Sequence, residues 1–137
     1  MIGADNIDVV RDHYAATNEH DYARAIAHWD EDVVLVVPVG PGYLQSGQFN
    51  GRGAVTAWFR DWLSRFDGGG EFDVKEITEL DDGEVLLVAN YRARGRSSGV
   101  PVEGTVMWLY SVRQHKIVRV EGFEARDQAL EAVGRAG

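Results

Sequence analysis

The sequence predicts an α+β domain with helices packed on one face of a mostly antiparallel, curved sheet. Three observations lead there. Helical patterns come first in the chain, followed by a strand, a helix and four strands in succession. Two runs rich in β-branched and aromatic residues, Thr105–Val112 and Ile117–Phe123, flank the polar Arg113-Gln114-His115-Lys116, a hairpin signature. Finally, alternation puts Val118, Val120 and Gly122 on one face of the second run, and Ile117, Arg119, Glu121 and Phe123 on the other. The uncharged face is the inner one, and Gly122 leaves a gap there, so the sheet is read as enclosing a cavity.

Each element has a local reason. Asp5 can cap a helix starting near Asn6, with Ile7, Val10, Tyr14 and Thr17 at helical spacing and Asn18 as a left-handed stop. Asp21 caps a short second helix through about Trp29. Val33–Val37 is a strand ended by Pro38, and a long loop from Gly40 to Gly51 follows, of a length often tied to function. From about Gly53 to Phe66, Val55, Trp58, Phe59, Trp62 and Phe66 make an aromatic stripe suited to packing on a sheet. Phe72–Leu80 and Glu84–Arg96 are strands joined at Asp81-Asp82-Gly83. In the second, Arg92, Arg94 and Arg96 are costly to bury, so Ala89, Tyr91 and Ala93 point inward. Asp127 caps a last helix over Gln128–Val133.

The 137 residues suffice for one domain, 1–137, with a sizeable core. A net charge of -8 disfavours nucleic acid and anionic membranes as partners. With no cysteine, a thiol nucleophile and a thiolate metal site are excluded. No run approaches the roughly 20 apolar residues of a membrane span, and no secretory signal is visible, so a cytoplasmic location is expected. His13, His20, His28 and His115 lack the paired spacing of a zinc helix, so no metal and no cofactor are expected. Gly51-Arg52-Gly53 lacks the lysine and preceding strand of a phosphate loop.

Several stretches, in order, resemble the SnoaL-like branch of the nuclear transport factor 2-like superfamily. They are Tyr14-Ala15-Ala16-Thr17-Asn18-Glu19-His20-Asp21, Trp29-Asp30-Glu31-Asp32-Val33-Val34, Gly51-Arg52-Gly53-Ala54-Val55-Thr56-Ala57-Trp58-Phe59, Lys116-Ile117-Val118-Arg119-Val120 and the tail from Asp127 to Gly134. The resemblance implies a cone-shaped α+β barrel: a strongly curved, mostly antiparallel sheet wrapped around N-terminal helices, with a pocket at the open end and frequent dimerisation. It also implies where catalytic groups would lie. Ketosteroid isomerases carry a general-base aspartate directly before a Pro-Val-Gly like Pro38-Val39-Gly40. That position is Val37 here, which cannot move a proton. Their proton-donating tyrosine falls at His13, next to Tyr14, and their protonated acid near Trp108. The polar trio of limonene epoxide hydrolases falls near Ala89, Tyr91 and Gly122. For the acid of polyketide cyclases, Glu124 is the nearest candidate.

The candidate catalytic groups are therefore Tyr14, His13, Tyr91 and Glu124. Adjacent helix positions point about 100° apart, so only one of His13 and Tyr14 is expected to look straight into the cavity. Val37, Trp58, Trp62, Ala89, Trp108, Val120 and Gly122 are the candidate substrate-binding residues, and each aromatic can equally be plain core packing. Such a cavity suits a small hydrophobic molecule. Two readings stay open: a cofactor-independent acid/base enzyme (isomerase, cyclase or hydrolase), and a noncatalytic binding or accessory domain. Leu86, Val88, Leu109, Ile117 and Phe123 should form an outer apolar patch rimmed by charge, a homodimer face.

Overall fold

The computed structural model describes residues 2–39, 46–66, 70–80, 83–123, 125 and 127–131, with side chains from Asn6 onward. The elements are α1 (Ile2–Asn18), α2 (Tyr22–Ile26), β1 (Trp29–Val37), β2 (Gly47–Asn50), α3 (Arg52–Ser64), β3 (Glu71–Glu79), β4 (Val85–Arg94), β5 (Pro101–Arg113) and β6 (Lys116–Phe123). A helical turn over 127–131 follows. The six strands form one curved, unclosed sheet in the order β2-β1-β6-β5-β4-β3. Strands β3 to β6 are the expected antiparallel meander, and β1 runs parallel to β6. α1 and α3 lie inside the curve, giving the cone.

Several boundaries shift for local reasons. α1 begins at Ile2, so Asp5 lies inside the helix rather than before it. The left-handed residue after α1 is His20, with φ 62°, while Asn18 ends the helix and ties it to β3. Its side chain accepts from Phe72 N at 2.9 Å and donates to Phe72 O at 2.8 Å. Asp21 caps α2 by accepting from Arg24 N, but the helix stops at Ile26 and Trp29 already belongs to β1. The β1–β6 pairing shifts register between Trp29 and Val34, so an irregular stretch containing Asp30-Glu31-Asp32 separates the buried Trp29 from the regular ladder. Part of the long loop is strand β2, paired with β1; residues 40–45 lie outside the described residues.

The face assignment of β6 is corrected at one end. A bulge between Ser111 and Val112 shifts the β5–β6 register. Since a one-residue slip exchanges the faces, Ile117 turns into the main core and is fully buried. Leu86, Leu109 and Phe123 do lie on the outer face, but Ala129 of the C-terminal turn packs with them and all four are buried. The apolar patch expected to face a second subunit is thus largely covered by the chain itself. Of the arginine stripe, Arg92 lies 3.9 Å from Glu71 on β3, and Arg96 donates to Ser64 O and Phe66 O at the end of α3.

Candidate functional site: an aromatic cavity inside the cone

The concave face of the sheet and the enclosed helices leave a small cavity. α1 contributes His13, Tyr14 and Thr17; α3 contributes Val55, Trp58, Phe59 and Trp62. The sheet adds Trp29 and Leu35 from β1, Phe72 from β3, Val106, Trp108 and Tyr110 from β5, and Val120 from β6. Helical spacing on α3 and period two on β5 put these side chains on common faces. His13 and Tyr14 both line the space, contrary to the expectation for adjacent positions. The sheet curves around α1, so side chains diverging by about 100° still meet its wall. Every tryptophan of the chain, four in all, is in the lining.

The free volume is about 60 Å³, room for a few waters and well short of the roughly 300–1,000 Å³ of a drug-sized pocket. The aromatic rings fill the rest. Trp58 meets Trp108 edge-on at 6.2 Å between centroids, and Trp62 stacks on Phe72 at 5.4 Å. Trp58 and Phe72 are only half-buried, unlike the other rings of the wall.

Few polar groups interrupt this lining. The Tyr14 and Tyr110 hydroxyls share a hydrogen bond of 2.6 Å. Thr17 Oγ1 donates to His13 O at 2.8 Å, within α1. The His13 imidazole sits among Tyr14, Trp29, Phe59 and Tyr110, with centroids 5.3 to 6.3 Å away. Its Nδ1 lies 2.9 Å from Ala25 O. A carbonyl only accepts, so Nδ1 carries the proton. Burial lowers the His13 pKa to about 4, outweighing the Ala25 carbonyl and the Asp12 charge, which act to raise it. The ring is therefore neutral near pH 7, with an unprotonated Nε2. The indole N–H groups of Trp29 and Trp58 are buried with no partner among the described residues.

Behind His13, towards solvent, Asp12 accepts from Arg24 Nε at 3.1 Å and from His28 Nε2 at 2.6 Å. These partners, Arg24 foremost, hold its carboxyl well below the usual range and bind α1 to α2. No carboxylate lies in the described lining. Among the described residues no group of three histidines, aspartates or glutamates could hold a metal.

Six sequence-derived candidates thus surround one space: His13, Tyr14, Trp58, Trp62, Trp108 and Val120. Four others do not line it. Tyr91 packs on Trp62, Phe66 and Phe72 and lies over Gly104, where an added Cβ would fall 2.7 Å from its ring; Gly104 thus makes room for it. Ala89, fully buried, faces Val106 across the β4–β5 ladder. Gly122 stands opposite Trp108 in the register, so the gap it leaves adjoins a large cross-strand neighbour. Val37 is buried at the end of β1, opposite Gly47. Glu124 lies outside the described residues. The sequence reading missed Tyr110, although it stands two residues beyond Trp108 on the same face, and Trp29, which it placed at a helix end.

A family model described as the SnoaL-like domain matches residues 10–120. The chain belongs to the SnoaL-like family, in the nuclear transport factor 2-like superfamily. No curated protein matches this SnoaL-like chain significantly. Solved structures similar to it include Bal32a from a soil-derived mobile gene cassette, at 20% identity, TM-score 0.77, with 88% of this chain and 89% of that one covered. RV0760c from Mycobacterium tuberculosis, in complex with estradiol-17beta-hemisuccinate, is 16% identical with TM-score 0.74, covering 90% and 95%. TerC, co-crystallized with polyporic acid, is 20% identical with TM-score 0.73, covering 95% and 98%. At these identities the likeness establishes the fold. No helix of the SnoaL-like chain is long and apolar enough to cross a membrane among the described residues.

Proposed function

We propose that this SnoaL-like domain binds a small hydrophobic molecule with an aromatic ring inside its cone. The observation that carries the reading is the convergence of all four tryptophans on one cavity with few polar groups. Flat apolar walls with sparse, oriented hydrogen-bonding groups suit such a ligand. That RV0760c and TerC each hold a small molecule supports it. The free space is smaller than an aromatic ligand, so binding displaces wall side chains. Half-buried Trp58, packed between Phe49 and Trp108, is the wall that swings.

The four indole N–H resonances are built-in reporters. Titration with 2-naphthol, followed by proton–nitrogen NMR, should shift them saturably while leaving the amides of the Gln114-His115 turn in place. Indole resonances that stay still up to the solubility of the probe would overturn the reading.

A second, catalytic reading rests on the unprotonated His13 imidazole beside the Tyr14–Tyr110 pair. There His13 accepts a proton and Tyr14 donates one, without a cofactor, in an isomerisation or cyclisation. With its pKa near 4, His13 is a weak base and serves only acidic carbon or hydroxyl protons. Turnover of a cyclisable diketone that disappears in both His13→Asn and Tyr14→Phe would favour it.

A further inference from the structure

We propose that the cavity selects a hydroxyl-bearing aromatic, a phenol or enol in its neutral form, whose O–H donates to His13 Nε2. This rests on the binding reading above and names the ligand class for the same site. The Nδ1 proton is committed to Ala25 O at 2.9 Å, so Nε2 offers only a lone pair. Burial keeps it that way near neutral pH. A ligand carbonyl or ether oxygen placed there would face another acceptor, and an anionic ligand would lose its solvation with no cation in the described lining.

A hydroxyl oxygen that has donated can still accept. The Trp29 indole N–H is the matching donor: Trp29 is 4% exposed, its Nε1 has no partner among the described residues, and its ring centroid is 5.5 Å from that of His13. A hydroxyl that donates to Nε2 keeps an oxygen lone pair for this adjacent indole N–H. A methyl ether can serve only the indole and leaves Nε2 facing a second lone pair.

Calorimetry with 2-naphthol and 2-methoxynaphthalene tests the assignment on the intact chain. The phenol should bind on the order of tenfold more tightly, the effect of leaving one buried hydrogen-bonding group unmatched. His13→Asn keeps a donor for Ala25 O but deletes the Nε2 acceptor, and it should bring the phenol down to the affinity of the ether. Equal binding of the two probes to the parent chain overturns the hydroxyl assignment while leaving the aromatic-ligand reading intact. A phenol preference that survives in folded His13→Asn overturns the role of His13. Binding of neither probe overturns both readings.

Discussion

At the residue scale, the site turns on groups whose types are plain in the sequence but whose states are not. His13 and Tyr14 stand out on the first helix. The proton position on His13, however, is set by Ala25 O, twelve residues on in the chain, and its low pKa by burial among rings from its own helix and three other elements. Spacing along α1 cannot reveal either. One consequence is measurable as pH dependence. In the unfolded chain this histidine takes up a proton near its ordinary value of 6.5, and in the folded chain only near 4. Between these values the unfolded state binds more protons, so stability falls as pH falls. From pH 7 to 4.5 this group should remove about 2 kcal/mol of unfolding free energy. Urea titrations at the two pH values should show that loss in the parent and a much smaller one in His13→Asn. Tyr14→Phe, which deletes the buried hydroxyl pair with Tyr110, should lower stability by about 1 kcal/mol at neutral pH, read by the same titration.

The elements were legible wherever local pattern and tertiary need agreed. The aromatic stripe of α3 and the alternation of β4 and β5 point where the sequence says, because one face of each must be buried. β6 departs at Ile117 because a bulge between Ser111 and Val112 inserts a phase change that alternation alone does not announce. The hairpin beyond it has a two-residue turn in which Gln114 and His115 adopt φ of 51° and 63°. Both central residues are left-handed, a conformation that asparagine and glycine hold at less cost. Replacing Gln114-His115 by Asn-Gly should raise stability by roughly 0.5–1 kcal/mol, seen as a higher melting temperature with ligand binding unchanged. Asn18 joins two elements through a side chain rather than a pattern, bonding both polar groups of Phe72. Asn18→Ala should cost about 1 kcal/mol, while Asn18→Gln, one methylene longer, should not restore it.

At the scale of the whole molecule, the cone follows from the order of helices and strands, and the match to the SnoaL-like family spans residues 10–120. The amount of space inside does not follow. Gly122 suggested a gap, but the sheet's small residues have large neighbours: Tyr91 covers Gly104, and Trp108 stands opposite Gly122. The cavity is therefore centred between α1, α3 and β5, with Tyr110 and Phe59 in its wall, rather than over Ala89 and Gly122. On the outer face, Ala129, near the far end of the chain, packs with Leu86, Leu109 and Phe123, a long-range contact that spacing along the strands does not announce. A second apolar groove lies between α1 and β3, lined in part by Ala15, Val74 and Ile77, and it is the natural competitor for any hydrophobic ligand. Intermolecular nuclear Overhauser effects from bound 2-naphthol decide between the two. Contacts to Phe59, Trp108 and Val120 are expected. Contacts confined to Ala15, Val74 and Ile77 would contradict that placement.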